Sequence, residues 1–377
     1  MVQHVLVTGG AGLIGSHIAD EALRQGFRVR IFDNLERQTH RRGKPSWISP
    51  DAEFVDGDVR NRRDWERALT GIDIVFHEAA YGGYMPEIAK FLAVNGVGSA
   101  LMLEVIQNRP LPVEKIVFAS SQAVYNEGAY RCPEHGHFYG TTRPIAQLET
   151  GDFAMRCPLC DRAAAPIPTD ERAPIGGENI YAISKATQER AILSWSRASG
   201  IPAVALRYSC TFGPRQSVFN PYTGVIAIFC TRLMNDLAPI VFEDGHQSRD
   251  LIYVEDVARA NLLVAMDDRA NGRIFNVGTG QAAEIGALAS LLSDRLGNPI
   301  APELPGTFRP GEMRALISDT AAIAELGFAP EIDLTTGIDR YLAWIETQGT
   351  IADYFTAAER NLRRRSLIKS PRSGPAA

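Results

Sequence analysis

A tyrosine and a lysine four residues apart give this sequence its clearest candidate for proton transfer. Tyr181 and Lys185 lie in the stretch ENIYAISKATQERAILSWS, where apolar residues recur at helical spacing. Side chains four apart share one helix face, so the lysine cation is predicted to stabilise the phenolate and lower the pKa of the phenol. A tyrosine tuned in this way can take a proton from an alcohol while a hydride leaves the same carbon. Because the spacing is also common on helix surfaces, the prediction depends on the rest of the chain.

Three glycines near the N-terminus have the spacing of a dinucleotide-binding turn. In HVLVTGGAGLIGSHIADEALRQG, a short apolar strand leads into Gly9, Gly12 and Gly15 and then into a helical pattern. A second strand ends at Asp33, about 20 residues beyond the glycines. The glycines let the backbone approach a pyrophosphate, the helix N-terminus offers free N–H donors, and the acid accepts ribose hydroxyls. Asp33 would repel a 2′-phosphate and favours NAD over NADP, although Arg37 lies close enough in sequence to leave NADP open.

Apolar strands alternate with helical patterns through the first two thirds of the chain. The strand-like stretches IDIVFHEAA, EKIVFASS and PAVALRYS are each separated by helical segments. This alternation predicts an α/β fold with a doubly wound parallel sheet, in which ligands bind at the carboxyl ends of the strands. The candidate residues all fall at such ends: the three glycines, Asp33, Asp58, His77 to Ala80, and Ser120 with Ser121. The sequence therefore predicts one site along a single edge of the sheet.

Two short motifs in the middle of the chain have metal-ligand spacing. Cys132 and His135 are three residues apart in YRCPEHGHFYG, and Cys157 and Cys160 repeat that offset in RCPLCD. About twenty residues separate the pairs, as in a zinc knuckle, and three cysteines with one histidine form a closed structural set. His137 is an alternative fourth ligand. Unliganded loop cysteines and a redox pair stay open, although proline-flanked loop cysteines lack the helix N-terminus that a redox pair uses.

The composition is that of an ordinary soluble globular protein. Apolar residues make up 45% of the chain and charged residues 22%, and the net charge of -5 gives no reason to expect nucleic acid as a partner. We expect no membrane partner, because no apolar run reaches about 18 residues and the N-terminus lacks a signal peptide pattern. Five cysteines, an odd and sparse set, favour a reducing cytoplasm over a disulfide framework. Residues 360–377 are basic and rich in Pro, Ser and Gly, which predicts a flexible tail.

At this point the sequence resembles the extended short-chain dehydrogenase/reductases, and within them the nucleotide-sugar epimerases and dehydratases. The resemblance covers about residues 1–345 in the right order. It is carried by the motifs TGGAGLIG (8–15), DN (33–34), GDVR (57–60), HEAA (77–80), FASSQAVY (118–125), YAISK (181–185), RY (207–208), QSRDLIYVEDVA (247–258), NVGTG (276–280) and RPGEMR (309–314). These motifs are highly specific for the family and much less specific for the substrate.

The resemblance implies two domains and a bound NAD. Residues 1–207, joined by about 238–279, would form the NAD-binding domain, and 208–237 with 280–350 would form a smaller nucleotide-sugar domain. Residues 126–170 would be an insertion that carries the Cys/His motifs. The residues that match the family's cofactor contacts are Gly9, Gly12, Leu13, Ile14, Gly15, Asp33, Asn34, Asp58, Val59, Ala79, Ala80, Asn95, Ser120, Tyr181, Lys185 and Tyr208.

The same resemblance assigns roles around the sugar. Tyr181 would be the catalytic base, Lys185 would bind the nicotinamide ribose, and Ser121 would hydrogen-bond the reacting oxygen. Arg249 and Arg309 match positions that bind the diphosphate, with surface salt bridges as the alternative. The full set of expected substrate contacts is Tyr81, Tyr84, Gln122, Cys210, Asn220, Arg249 and Arg309. Relatives often dimerise through a four-helix contact, so we also expect a homodimer.

The residues after Ser121 discriminate between reactions within the family. Nucleotide-sugar 4,6-dehydratases carry an acidic pair there, whereas this chain has Gln122 and Ala123, which cannot shuttle a proton. We therefore expect a 4-epimerase that oxidises the sugar transiently, with a decarboxylase, a keto-sugar reductase or a non-catalytic NAD-binding protein as alternatives. A similar two-motif insertion in a bacterial subgroup implies a dTDP- or UDP-linked hexose or 6-deoxyhexose.

Two positions depart from the family pattern. Cys210 stands where many epimerases carry an asparagine that helps hold the diphosphate. Glu78 stands where the family usually has an apolar residue, and we expect its carboxylate to reach solvent at the end of a strand.

Overall fold

The computed structural model describes residues 2–83, 85–222 and 224–372. Its strands, in chain order, are β1 His4–Thr8, β2 Arg28–Asp33, β3 Glu53–Asp56, β4 Ile74–His77, β5 Lys115–Ser121, β6 Ala129–Cys132, β7 Gly136–Tyr139, β8 Ala165–Ile167, β9 Ala203–Tyr208, β10 Cys210–Phe212, β11 Ser248–Arg249, β12 Leu251–Tyr253, β13 Ile274–Val277, β14 Ala283–Glu284 and β15 Ala315–Leu316.

The α-helices are α1 Leu13–Arg24, α2 Arg62–Ala68, α3 Ile88–Phe91, α4 Ser99–Asn108, α5 Ile145–Glu149, α6 Ile180–Ser199, α7 Val225–Leu233, α8 Val254–Met266, α9 Ile285–Arg295, α10 Ala321–Ala324, α11 Leu334–Glu346 and α12 Phe355–Arg364. A π-helical stretch, Leu92–Gly98, joins α3 and α4 into one continuous helix.

Seven strands form the parallel sheet that the sequence predicts, in the order β13-β9-β5-β4-β1-β2-β3. The strand order reverses between β1 and β4, whose residues pair from Val5 with Ile74 to Thr8 with His77. In open parallel sheets, such a reversal leaves a crevice at the carboxyl ends of the strands. The doubly wound α/β fold is confirmed, and its switch point lies between the glycine turn and the HEAA stretch.

Apolar side chains on alternate strand positions bury both faces of this sheet. One core cluster joins Val5, Val7 and Ile31 to α1 and α8, and the other joins Leu6, Val75 and Ile116 to α2, α4 and α6. Strands buried on both faces read as continuous apolar runs, which is why the sequence shows them clearly.

One helical stretch, Ile88–Asn108, is long and apolar enough by length and composition to cross a membrane, with a mean hydropathy of 1.5. The same test is passed by core helices of soluble proteins. Here Met102, Leu103 and Ile106 pack into the core cluster beneath the sheet.

The C-terminal part of the chain builds a second core and two small sheets. A two-stranded parallel sheet pairs β10 with β12, and a three-stranded sheet has the order β14-β11-β15. Helices α7, α9 and α11 pack over them around Phe229, Leu292 and Tyr341. Strand β13 pairs with β9 in the main sheet and α8 packs against α1, whereas Ser248 and Arg249 of β11 belong to the small sheet.

The insertion forms a small antiparallel sheet of its own, in the order β7-β6-β8. Tyr130 and Met155 from the insertion pack against Ala315 of β15. The insertion is therefore in direct contact with the small sheet that carries Arg249.

The expected flexible tail needs correction over residues 360–372. Residues 360–364 complete α12, where Leu362 is buried, and Ile368 is also buried. Lys369 and Phe308 exchange two backbone hydrogen bonds of 2.9 Å, and Arg372 forms an ion pair with Glu149 at 2.7 Å. The apolar residues between the basic ones hold this segment on the protein surface.

Candidate active site

The glycine turn is closed by backbone contacts that leave no room for side chains. Gly9 has φ +65°, and a Cβ there would lie 2.9 Å from the Cα and N atoms of Ala79. A Cβ on Gly15 would lie 2.4 Å from the carbonyl oxygen of Gly9. Gly12 precedes α1 with no side-chain cap, so the first N–H groups of the helix, from Leu13 onward, face the crevice without a competing acceptor. This cradle fits a dinucleotide pyrophosphate.

Asp33 connects the glycine turn to the end of β2. Its Oδ2 accepts a hydrogen bond from Ala11 N at 3.0 Å, and its Oδ1 accepts one from Leu35 N at 2.8 Å. Burial raises the pKa of this carboxyl group, and the two backbone donors oppose that effect. Each carboxylate oxygen keeps a second lone pair, which suits Asp33 to accept ribose hydroxyls.

Asn34, Asp58 and Val59 lie together beside Asp33. Asn34 Nδ2 donates to Asp58 Oδ2 at 3.0 Å, and Arg60 forms an ion pair with Asp58 at 2.6 Å. The bonds from Arg60 hold the pKa of Asp58 well below its usual range. Val59 packs against Gly98 and accepts a hydrogen bond from the buried Trp65. These residues form the wall of the crevice where the adenosine end of a dinucleotide is expected.

The loop after β4 is held by buried polar bonds. Ala79 N donates to Thr8 Oγ1 at 3.0 Å, which places Ala79 and then Ala80 over the switch point. Asn95 is fully buried, and its amide bonds both backbone groups of Tyr81 and the hydroxyl of Ser184. The side chain of Asn95 therefore positions the loop that carries Ala79 and Ala80.

Ser121, Tyr181 and Lys185 meet where β5 ends and α6 begins. Tyr181 lies close enough to Ser121 for the serine hydroxyl to lower the pKa of the phenol, and Ser121 Oγ accepts the N–H of Ala123 at 3.2 Å. Lys185 Nζ donates to the carbonyl oxygen of Ala119 at 2.6 Å and to Gln188 Oε1 at 2.8 Å. The three candidate catalytic residues thus share one end of the sheet with the glycine turn.

The pKa of Tyr181 is shifted upward in this structure, whereas the sequence predicts that Lys185 lowers it. Burial raises the pKa of Tyr181, the Ser121 hydroxyl lowers it, and Cys210 adds to the rise. Lys185 directs its ammonium group to Ala119 and Gln188, and its charge does not contribute to the shift at Tyr181. Burial also lowers the pKa of Lys185 to about 8, against the opposing charges of Glu78 and Glu189.

Glu78 is half-buried and hydrogen-bonded, whereas the sequence predicts a carboxylate that simply reaches solvent. Both of its carboxylate oxygens lie 3.1 Å from the Tyr208 hydroxyl, which also contacts Asn261 of α8. Burial raises the pKa of Glu78 to about 7, and Lys185 opposes the rise. The HEAA motif showed that Glu78 is unusual for the family but not what it bonds. Its partner Tyr208 on β9, and Asn261 on α8, are distant from it in sequence.

Ser120 and Tyr208 are both expected to contact the cofactor. In the structure their hydroxyl groups form hydrogen bonds with other protein side chains. Ser120 Oγ donates to Glu189 Oε2 at 2.5 Å, and Glu189 in turn forms an ion pair with Arg207. The side chain of Ser120 therefore secures β5 to α6.

Two pairs of the expected substrate contacts are brought together, Gln122 with Cys210 and Arg249 with Arg309. Gln122 Nε2 contacts Cys210 Sγ at 3.3 Å. Arg249 forms an ion pair with Glu312 at 2.8 Å, and Arg309 approaches the same carboxylate at 3.5 Å. Burial raises the pKa of the Cys210 thiol to about 11, so Cys210 is a neutral thiol rather than a nucleophile.

The remaining expected substrate contacts are less informative. Tyr81 is buried, and its hydroxyl bonds Glu87 under the ammonium group of Lys90. Asn220 is buried in the loop before α7, where it accepts a bond from Tyr222 N at 3.1 Å. Tyr84 lies outside the described residues.

The Cys/His motifs converge into one compact cluster. The ligand atoms of Cys132, His135, Cys157 and Cys160 all lie within 4.8 Å of one another. Cys132 Sγ lies 3.6 Å from Cys160 Sγ and 3.7 Å from His135 Nδ1, and Cys157 Sγ lies 3.6 Å from His135 Nδ1. His137 is exposed and packs edge-on against Tyr139, outside this group.

Comparison with known proteins identifies the family. The model for the NAD dependent epimerase/dehydratase family matches residues 5–147 and 161–278. The break between these segments contains Cys157 and Cys160, whereas Cys132 and His135 lie within the first matched segment.

Individual relatives span nearly the whole chain. The dTDP-L-rhamnose 4-epimerase of Burkholderia thailandensis is 33% identical over 355 residues, covering 91% of this chain and 95% of the relative. A putative UDP-glucose 4-epimerase of Methanocaldococcus jannaschii is 32% identical, covering 91% and 98%. Among solved structures, the UDP-glucose 4-epimerase of Thermotoga maritima with UDP-glucose has a TM-score of 0.75 at 29% identity, covering 92% of this chain and 99% of that one. The chain therefore belongs to the NAD-dependent epimerase/dehydratase family.

Proposed function

We propose that the protein is an NAD-dependent nucleotide-sugar 4-epimerase. The observation that carries this proposal is that Ser121 at the end of β5 and Tyr181 at the start of α6 lie beside each other, on the same edge of the sheet as the glycine turn. The relatives named as 4-epimerases support it over nearly the full length of the chain.

Three residues of the site would have separate roles in removing a proton from the sugar and returning it. Tyr181 would accept the proton of the sugar 4-hydroxyl, and Ser121 would donate a hydrogen bond to the same oxygen as it becomes a ketone. NAD, when bound, supplies the acceptor and later the donor of the hydride. Lys185 would stabilise the phenolate once cofactor binding draws its ammonium group away from Ala119 and Gln188. Tyr181 would then return the proton when the hydride adds to the other face of the sugar.

The side chains next to Ser121 argue against loss of water. Gln122 and Ala123 occupy the positions of the acidic pair of dehydratases, and the amide of Gln122 contacts Cys210. A dTDP-glucose 4,6-dehydratase from an Actinoplanes strain is 27% identical, which is lower than the 33% identity to the dTDP-L-rhamnose 4-epimerase. A decarboxylase or a keto-sugar reductase is the alternative within this fold.

The proposed substrate is a dTDP- or UDP-linked hexose or 6-deoxyhexose. Arg249 and Arg309, which share the carboxylate of Glu312, would bind the diphosphate. Support for the nucleotide comes from the dTDP-sugar and UDP-sugar enzymes among the relatives.

We also propose that the Cys/His cluster holds a structural zinc ion. For a tetrahedral site with Zn–S of about 2.3 Å and Zn–N of about 2.05 Å, the ligand edges are about 3.8 Å for S–S and about 3.6 Å for S–N. The observed edges of 3.6 to 3.7 Å fit this geometry. The metal would fold the insertion and take no part in the reaction.

A homodimer in the cytoplasm is the proposed state of the protein. The helix before and through the π-helical stretch exposes Ile88, Leu92 and Val97, and neighbouring α6 exposes Ile183. Residues five apart in a π-helix share a face, so Leu92 and Val97 form one apolar patch. None of the five cysteines forms a disulfide, as suits a reducing compartment.

A panel experiment tests the function. Purified enzyme is mixed separately with dTDP-, UDP- and GDP-sugars, and proton NMR follows the sugar while absorbance follows NADH. Two epimers at equilibrium without net NADH would support the proposal. Steady NADH formation, or release of carbon dioxide, would contradict it.

A further inference from the structure

A single buried arginine joins the insertion to the segment that carries the proposed diphosphate ligands. Arg143 lies in the insertion and is 3% exposed. Its Nε donates to Glu127, one terminal nitrogen donates to Phe153 O and Glu243, and the other donates to Glu243 and Glu312 O. An arginine has five N–H donors, so every donor of Arg143 has an acceptor.

The acceptors of Arg143 belong to different parts of the chain. Glu127 and Phe153 lie in the insertion, whereas Glu243 and Glu312 lie in the C-terminal part. The bond to the Glu312 carbonyl, at 2.7 Å, holds one end of a turn that starts at Arg309 and is closed by Glu312 N bonding Arg309 O at 3.1 Å. The carboxylate of Glu312 in turn contacts Arg249 and Arg309. Glu312 therefore links Arg143 to both Arg249 and Arg309.

Further contacts fix the same turn from other directions. Glu127 Oε2 accepts the N–H of Arg314 at 2.8 Å, and the Arg314 side chain pairs with Glu243 and Asp244. Phe153 of the insertion packs near Phe308, which directly precedes Arg309, with ring centroids 6.4 Å apart. Residues 309–314 are thus held on both sides by the insertion and by Glu243.

A buried network of charged side chains is better explained by a role in fixing the geometry of the turn than by a gain in stability. Burying three charged side chains carries a desolvation cost that their attraction only partly offsets, so a buried ion network is weak evidence for stability. However, a guanidinium group whose N–H donors are all bonded holds its acceptors in one fixed arrangement. The network thus restricts the turn to one geometry.

We propose that Arg143 is a positioning residue for substrate binding, which fixes the turn of Arg309 and Glu312 and makes diphosphate affinity depend on the insertion. The inference rests on the proposed function, since it takes Arg249 and Arg309 as the diphosphate ligands. Tyr181, Ser121 and the glycine turn lie outside this network, so Arg143 affects binding of the sugar nucleotide and leaves the chemical step and NAD binding unchanged.

The test compares Arg143→Lys with Arg156→Lys in the full-length protein with NAD. Lysine keeps the buried positive charge but cannot reach all the acceptors from one nitrogen. Arg156 is a matched control, because among the residues that the structure describes its side chain bonds Asp152 and Asp161, both within the insertion. Calorimetry with dTDP and with UDP gives the Kd, and turnover gives kcat and KM.

We expect Arg143→Lys to raise Kd and KM about tenfold, as for the loss of a hydrogen bond worth about 1.4 kcal/mol. The kcat and the NAD content should stay within about twofold of wild type, and Arg156→Lys should match wild type. An unchanged Kd, or a fall in kcat and NAD content as large as the rise in KM, overturns the inference while leaving the proposed function standing. If neither dTDP nor UDP binds wild type, both proposals fall.

A second variant tests the same inference in case Arg143→Lys does not fold. Phe153→Leu loosens the contact with Phe308 and leaves every buried carboxylate paired. It should raise Kd in the same direction and speed amide hydrogen exchange at residues 309–316. If the folded variant shows wild-type Kd and exchange, the insertion does not position the turn and the inference is wrong.

Discussion

Ser121, Tyr181 and Lys185 show how burial and hydrogen bonding compete for one phenol. The predicted helix face is correct, but Lys185 bonds Ala119 and Gln188, so burial raises the pKa of Tyr181. A pair of residues on one helix face predicts proximity. It does not predict where a flexible ammonium group points, because the acceptor at Ala119 is 66 residues away in sequence.

Replacing Tyr181 by phenylalanine removes the proposed base and little volume. We expect kcat to fall about 10²- to 10⁴-fold, the usual contribution of a general base. Bound NAD and Tm should change little, because the ring contact with Phe91 is retained. Steady-state kinetics with NAD quantified after denaturation check both points. Turnover at the wild-type rate would rule out the proposed mechanism.

Glu78 should give the fold a distinctive pH dependence. Its pKa is raised to about 7 in the folded protein, mainly by burial, so between its usual pKa and 7 the folded state binds more protons than the unfolded state. The free energy of unfolding contributed by this group therefore falls as pH rises through that window. Glu78→Gln should remove this fall, with a difference of up to about 3 kcal/mol.

Urea unfolding at several pH values measures that difference. Glu66→Gln serves as the control, since Glu66 pairs loosely with Arg109 at the surface, at 3.5 Å. The control should follow the wild-type curve. Parallel curves for wild type and Glu78→Gln between pH 4.5 and 7 would contradict the burial of this carboxylate.

At the scale of elements, the sequence predicted the features that depend on residues close to one another in the chain. The strand, glycine turn and helix at Gly9 to Gly15, and the alternation that builds the sheet, follow from residues close in sequence. The offset of Cys132 and His135 likewise predicts a chelating turn. The network of Arg143 was not predicted, because Glu243 lies 100 residues away and only the folded chain brings them together. The tail was mispredicted from composition, since its charged residues concealed Leu362 and Ile368.

Zinc should be bound in a ratio of about one ion per chain after purification without chelator. Cys157→Ser should lose the metal and lower Tm, because the ligand set then leaves one corner of the tetrahedron open. Cys230→Ala is the control, as Cys230 is a buried cysteine outside the cluster. Elemental analysis decides the matter. Wild-type protein without zinc, or equal zinc in both variants, would exclude the proposed site.

At the scale of the whole molecule, the exposed patch at Leu92 and Val97 predicts a dimer. Light scattering should give a mass of twice 41.2 kDa for wild type. Val97→Glu, which would bury an unpaired charge at the interface, should give a monomer. Leu159→Glu alters a residue that is 74% exposed on the insertion and should leave the dimer intact. A monomeric wild type, or a dimeric Val97→Glu protein, would place any interface elsewhere.

Transfer of a labelled hydride tests the central claim of epimerisation most directly. The sugar nucleotide that turns over in the panel, carrying deuterium at C4, is incubated with the enzyme and with excess unlabelled NADH in solution, and the C4 signals of both epimers are followed by NMR. If the hydride leaves for the bound cofactor and returns to the other face, the product epimer keeps its deuterium at C4. An epimer that forms with protium at C4 would contradict the account, since the hydrogen would then come from solvent or from free NADH.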